Sequence, residues 1–228
     1  DDIKVRQAFA HAIDKRGIVN VLLQRIVTEA KGILPPSMPG YNEDLEGLPY
    51  DPDRARELIT ESSYGDAAEL PPITFSVVRG RRGTNPLAEV LVEMYSEIAT
   101  IDIQQMDFGS FLADLDQRKC QMFMLGWVAD YPDPHNFLDI LFHSESENNY
   151  TGYANDEVDA LLEKARLEKD HPERMHLYQE VEEIIVEEAP WVPLYHGVDY
   201  VLIKPYVKGF TVTPQGTYYL KDTYLEAD

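Results

Sequence analysis

The chain holds one cysteine in 228 residues, so no disulfide can close within it. Cys120 lies among apolar strand residues and reads as a packed thiol rather than a nucleophile. That count leaves the redox compartment open. No apolar run approaches the length of a membrane-spanning helix, and neither a signal peptide nor an initiator Met is present. Asp1 is accordingly expected to be a processing or cloning boundary. Cations are scarce, with 20 Lys and Arg against 41 Asp and Glu, a formal charge of -21. Such a surface repels nucleic-acid backbones and anionic membranes, which excludes both as partners and says little about small ligands. No internal repeat or low-complexity tract is found. Catalytic signatures are missing too: there is no G-x-S-x-G, HExxH or Walker-type run. The histidines are scattered, and His171 and His176, separated by Pro172, do not share a helix face.

What is present is a substantial core for one large domain or somewhat more. Val5, Ala8, Phe9, Ala12 and Ile13 recur at helical spacing, so a helix starts near the first residue. Residues Gly32 to Pro49 form a loop rich in Pro and Gly, after which Asp51-Pro52 opens a short helix. Ile73 to Val78 reads as a buried strand. Asn85-Pro86 starts a helix whose stripe is Leu87, Val90, Leu91, Met94, Tyr95 and Ile98, and Ile101 to Met106 follows as a strand. Ser110 is expected to cap another short helix before a strand from Cys120 to Leu125. This β-α-β-α-β order implies parallel strands joined by right-handed crossovers. Two long helices are predicted over Asp156 to Lys169 and Pro172 to Glu188, with Glu182, Glu183, Glu187 and Glu188 as a solvent-side charge run. Beyond Asp199 the chain is strand-like and aromatic, with turns at Lys204-Pro205, Lys208-Gly209 and Pro214-Gln215-Gly216. This tail is expected to belong to a different packing unit.

Open α/β sheets bind ligands at the carboxyl ends of their strands, and two regions of this sequence fall there. Gly126 to Pro134 reads GWVADYPDP. Pro132 and Pro134 forbid both strand continuation and an immediate regular helix, so a rigid turn holds Trp127, Asp130, Tyr131 and Asp133 at the sheet rim. An aromatic platform beside a carboxylate suits a ligand cation. The alternative is a stiff loop with a buried Trp and Asp residues capping the helix that starts near His135. Across the sheet, Arg79 follows a strand in the run Arg79-Gly80-Arg81-Arg82-Gly83. Asp130 and an arginine together would clamp a zwitterion, the carboxylate taking an ammonium and the guanidinium a carboxylate. The alternative is a solvated arginine loop. Asn148, Asn149 and Tyr153 offer amides and a phenol suited to peptide backbone groups, or else build the turn before a helix. Asp130 and Asp133 lie on one turn rather than flanking a substrate, which argues against a hydrolytic carboxylate pair.

Several segments together resemble a known family. They are VRQAFAHAIDKRGIV from Val5 to Val19, YDPDRARELI from Tyr50 to Ile59, GWVADYPDPHNFLDILF from Gly126 to Phe142, and NYTGYANDEVDALLEKA from Asn149 to Ala165. RMHLYQEVEEIIVEEAPWVPLYH from Arg174 to His196 and VKGFTVTPQG from Val207 to Gly216 complete the set. In this order they resemble the C-terminal half of the extracellular solute-binding proteins of family 5, the dipeptide- and oligopeptide-binding components of ABC importers. Two departures concern connections. The glycine the family usually shows around Leu23 to Arg25 is absent, and Ser62-Ser63-Tyr64-Gly65 replaces the usual Ala-Gly.

The resemblance implies an α/β fold: a periplasmic-binding-protein-like lobe (type II, cluster C), its parallel or mixed sheet flanked by helices, plus a C-terminal segment returning to a missing lobe. Residues 1–198 would form the ligand-binding lobe and 199–228 the return segment. It further implies a non-enzymatic receptor without cofactor or metal, extracytoplasmic in the periplasm or at the cell surface, with a signal or lipid-anchor segment expected upstream in the full-length protein. Peptide or another small solute and ABC permease subunits would be its partners, and the tail of an isolated lobe would promote self-association. Residue by residue, Asp130 matches the aspartate of the W-x-x-D turn that pairs with a peptide's amino terminus, and Trp127 the adjoining aromatic. Tyr131 stands beside them, and Arg79 matches the carboxylate-binding arginine only loosely. Alternatives on the same scaffold are binding of a metal chelate, haem or oligosaccharide, with a carboxylate-dependent hydrolase a distant third.

Overall fold

The computed structural model describes residues 2–80, 85–213 and 216–226. Helix α1 (Ile3–His11) starts where the Asp2 side chain accepts a hydrogen bond from the Lys4 N–H, satisfying one of the donors every helix start leaves open. A short helix α2 (Lys15–Gly17) and a π-turn (Ile18–Leu22) lead to strand β1 (Val27–Glu29). Helix α3 (Pro52–Glu61) is capped by Asp51, strand β2 spans Ile73–Val78, and helix α4 (Pro86–Tyr95) is capped by Asn85. Strand β3 (Ile101–Met106), helix α5 (Phe108–Asp116) and strand β4 (Met122–Phe123) follow.

The three strands form one parallel sheet in the order β3-β2-β4, with Ile73 opposite Ile101 and Phe75 opposite Met122. Both long strands have the predicted bounds. The third is shorter than the predicted Cys120 to Leu125: at its start the Thr74 N–H bonds the Gln121 side chain at 3.0 Å instead of a backbone carbonyl, and the last backbone bond to β2 is from the Met124 N–H to the Ser76 carbonyl. A second difference concerns α5: its cap is Asp107, whose Oδ1 accepts from the Ser110 N–H at 3.0 Å, so Ser110 lies inside the first turn. Burying Phe75 and Val77 against α1, α3 and α4 makes the first core. Tyr95 packs on Phe9 there, with ring centroids 4.5 Å apart.

The second core is helical. A 3-10 turn (Pro134–Asn136) precedes α6 (Leu138–Phe142), α7 (Asp156–Leu167) and α8 (His171–Glu188). Leu138, Phe142, Val158, Leu162, Tyr178 and Val181 fill the space between them. One expectation fails in this layer. Glu182 was placed on the solvent side, yet it is 1% exposed. Its Oε1 accepts from the Ile33 and Leu34 N–H groups at 2.6 and 2.7 Å, and burial pushes its carboxyl up to about 7. Gly32 is required beside it, because a Cβ there would lie 2.5 Å from the same oxygen. Glu188 also departs from the solvent run, being half-buried and bonded to Tyr153 and Asn155. Glu183 and Glu187 do face solvent.

The two cores are tied where α8 ends. Arg6 Nε donates to the Glu188 carbonyl at 2.9 Å and Gln7 Nε2 to the Glu187 carbonyl at 2.8 Å, supplying partners for the open carbonyls of a helix terminus. Strand β5 (Tyr195–Gly197) then pairs antiparallel with β1. In the tail, β6 (Val207–Lys208) pairs with β9 (Tyr224–Leu225), and β7 (Thr211–Val212) with β8 (Tyr218–Tyr219). Neither pair joins the sheets of the body. Among the described residues none after Ala189 is buried. The predicted turn at Pro214-Gln215-Gly216 lies partly outside the described residues.

Candidate functional site

Beyond β4 the chain cannot remain a strand, and the turn that replaces it is held by a buried amide. Asn136, 0% exposed, accepts through one Oδ1 from Trp127 Nε1 at 3.0 Å and from the Asp130 N–H at 3.2 Å. Asp133 caps the 3-10 turn by accepting from the His135 N–H, and Arg174 of α8 grips both its oxygens at 2.8 and 2.6 Å. Burial would raise the Asp133 carboxyl, but the Arg174 and His135 hydrogen bonds outweigh that and hold it below the usual range. Asp133 is thus occupied within the fold. Asp130, by contrast, is exposed, and among the described residues its carboxylate has no hydrogen-bond or ion-pair partner.

An open groove of about 1490 Å³ runs beside this turn and is lined from both cores, with Phe9, Leu91 and Met122 from one and Met38, Phe137 and Trp191 from the other. Trp127 and Tyr153 line it; Asp130, Tyr131, Arg79 and Asn149 do not. Tyr131 is exposed, its hydroxyl 2.7 Å from His135 Nδ1. Tyr153 points its hydroxyl at Glu188 Oε2 at 2.6 Å, and burial and that carboxylate raise its phenol well above the ordinary value. Asn149 is interior: its Nδ2 donates to the His143 and Tyr153 carbonyls, and its Oδ1 accepts from Thr151 Oγ1 and the Tyr153 N–H. The turn takes up its hydrogen-bonding capacity, leaving little for a ligand. Arg79 is exposed just past β2, its N–H bonded to the Met106 carbonyl. Arg81 and Arg82 lie outside the described residues. Of the two charged groups expected to form a zwitterion clamp, the Asp130 carboxylate stands exposed on the turn beside the groove and Arg79 is exposed past β2, and neither lines the groove.

The sequence reading gave Asn136 and Arg174 no role and placed Glu188 on the solvent side. Only Glu188 carried a local signal, standing at the end of a helix stopped by Pro190. Among the described residues no group of three or more His, Cys, Asp or Glu is arranged to hold a metal ion, and no helix is long and apolar enough to cross a membrane.

Helices packed on a parallel sheet, with a groove along the sheet, place the chain among α/β ligand-binding folds; which of them follows from its likeness to solved binding proteins. A solved structure of HbpA2 from Haemophilus parasuis superposes with a TM-score of 0.88 at 28% identity, covering 99% of this chain and 45% of that one. The profile of the bacterial extracellular solute-binding proteins, family 5 (middle region), matches residues 1–149, and the chain belongs to that family. It is 30% identical to the dipeptide-binding protein of Escherichia coli (strain K12), over 99% of this chain and 43% of the relative. It is 33% identical to heme-binding protein A of Haemophilus influenzae, over 95% of this chain and 40% of the relative. The chain therefore spans less than half the length of these relatives.

Proposed function

We propose that this chain contributes one lobe of an extracytoplasmic solute-binding receptor of an ABC importer, and that the intact receptor encloses peptides in a cleft and delivers them to the permease. The carrying observation is the exposed, unpartnered Asp130 carboxylate on a rigid turn whose neighbouring indole lines the groove. A peptide ammonium finds there a countercharge, with the Trp127 ring beside it. Tyr131 adds a hydroxyl on the same turn and Tyr153 an aromatic wall. Arg79, or a neighbouring arginine, takes the peptide carboxylate from the other strand end. Residues 1–198 act as the lobe and residues 199–228 as a segment that packs on a second lobe. The receptor works in the periplasm or at the cell surface, anchored there by lipid where the organism has no outer compartment.

A second reading has its own support. The groove is lined largely by apolar and aromatic side chains, and one relative bears the name heme-binding protein A. A flat apolar chelate is the cargo that reading favours. Native mass spectrometry of the two-lobed protein, purified without denaturation, separates the two. A set of peptide masses is expected; a haem or metal-chelate adduct would replace the peptide reading with the second.

A further inference from the structure

The turn carrying Trp127 and Asp130 depends on a residue that touches neither solvent nor the groove. Asn136 is 0% exposed, and its Oδ1 accepts from both the Trp127 indole and the Asp130 backbone. Among the described residues its Nδ2 has no partner. The amide cannot be turned over, because that would set its NH2 against two N–H donors. A buried donor left unused is unfavourable, so whatever this side chain contributes to the turn it contributes through its oxygen. Asn136 ends the 3-10 turn capped by Asp133, and Arg174 holds Asp133 from α8. The connection therefore runs from a core helix, through one ion pair and one amide, to the turn.

We propose that Asn136 is a positioning residue for ligand binding: it sets the Trp127 ring against the Asp130 carboxylate by accepting a hydrogen bond from each side of the turn. The proposal rests on Asp130 as the ammonium anchor. Its specific consequence is that the acceptor matters and the amide donor does not. Aspartate keeps the acceptor; leucine, of similar volume, does not.

Two readouts test this. The indole N–H resonance of Trp127, assigned against Trp191→Phe, reports the hydrogen bond in this chain. Calorimetry with a dipeptide reports its effect in the two-lobed protein. Asn136→Leu should speed indole exchange and weaken dipeptide binding, each by about tenfold or more, the equivalent of one lost hydrogen bond. At mildly acidic pH, where burial keeps a carboxyl at this fully buried position protonated and its carbonyl oxygen still accepts, Asn136→Asp should leave both within about threefold of wild type, because no used contact is removed. Native exchange and affinity in Asn136→Leu would overturn the proposal. So would a folded Asn136→Asp protein that loses slow indole exchange, which keeps the test decisive if the leucine variant does not fold. Asp130→Asn separates the two claims. Should it bind the dipeptide normally, the anchor falls and the ligand role of Asn136 with it; should it bind weakly while Asn136→Leu binds normally, only the positioning role falls.

Discussion

The body of the lobe buries Tyr95, Tyr178, Phe75, Phe111 and Phe142 almost completely, whereas the tail leaves Leu202 100%, Leu225 70% and Tyr200 68% exposed. Both regions are rich in aromatic and branched residues, so apolar content does not separate them. Layers do. In the body each apolar face meets a second element, β2 against helices and α6 against α7 and α8. In the tail two short strand pairs have one layer with no second element packed upon it among the described residues, and an isolated two-stranded pair is marginal in water. The proposed packing of the tail on a second lobe would account for this, its missing layer coming from there.

Breaking the body should therefore cost far more than breaking the tail. Phe142 is 0% exposed between Tyr153 and Trp191, and Phe142→Ala should lower stability by about 3–5 kcal/mol in urea unfolding. Next in size is a pH effect confined to the body. Glu182 has its carboxyl raised from 4.5 to about 7 by burial. In that window the unfolded chain is ionised at this group and the folded chain is not, so its contribution is full below 4.5 and lost as pH rises through 7. The stability of Glu182→Gln relative to wild type should shift in favour of the variant by on the order of 3 kcal/mol between acid and mildly basic pH. A pH-independent difference would show that Glu182 does not titrate in this window. The His196 ring, held down at about 4 mainly by burial, titrates in both proteins and cancels in the comparison.

The smallest effects belong to the tail. Leu225→Ala should change the stability of this chain by no more than about 0.5 kcal/mol. Hydrogen exchange should find the β2 and β3 amides protected and those of the tail strands β6, β7, β8 and β9 near the unprotected rate. Slow exchange in the tail, together with a concentration-dependent mass, would instead show its open edges pairing with a second copy.

Local signals explain what could be read before the coordinates. Asp51-Pro52 and Asn85-Pro86 start helices because cap and first-turn proline act within a few residues, while β2 is a run of β-formers broken only by Ser76 and β3 alternates Ile101 and Ile103 with exposed polar residues. Asp107 and Ser110 are both good caps, so sequence alone does not choose between them. Glu182 sits in the apolar stripe of α8, four residues after Tyr178 and three before Ile185. The stripe was legible. Its carboxylate's partners, the N–H groups of Ile33 and Leu34, are far away in the chain. The turn at Trp127 and Asp130 was visible from its prolines, while Asn136 owes its place to burial and Asp133 to an arginine on α8. Such contacts are set by tertiary packing and leave no periodicity to find.

Calorimetric titration of the two-lobed protein with one dipeptide, free and N-acetylated, tests the central claim that Asp130 anchors a ligand ammonium. Asp130→Asn is expected to cost roughly 2–5 kcal/mol of affinity for the free dipeptide, the loss of a buried charge-assisted bond. Acetylation of the ligand should cost a similar amount in wild type and little more in the variant. Equal affinity of wild type for the free and acetylated peptides would contradict the account.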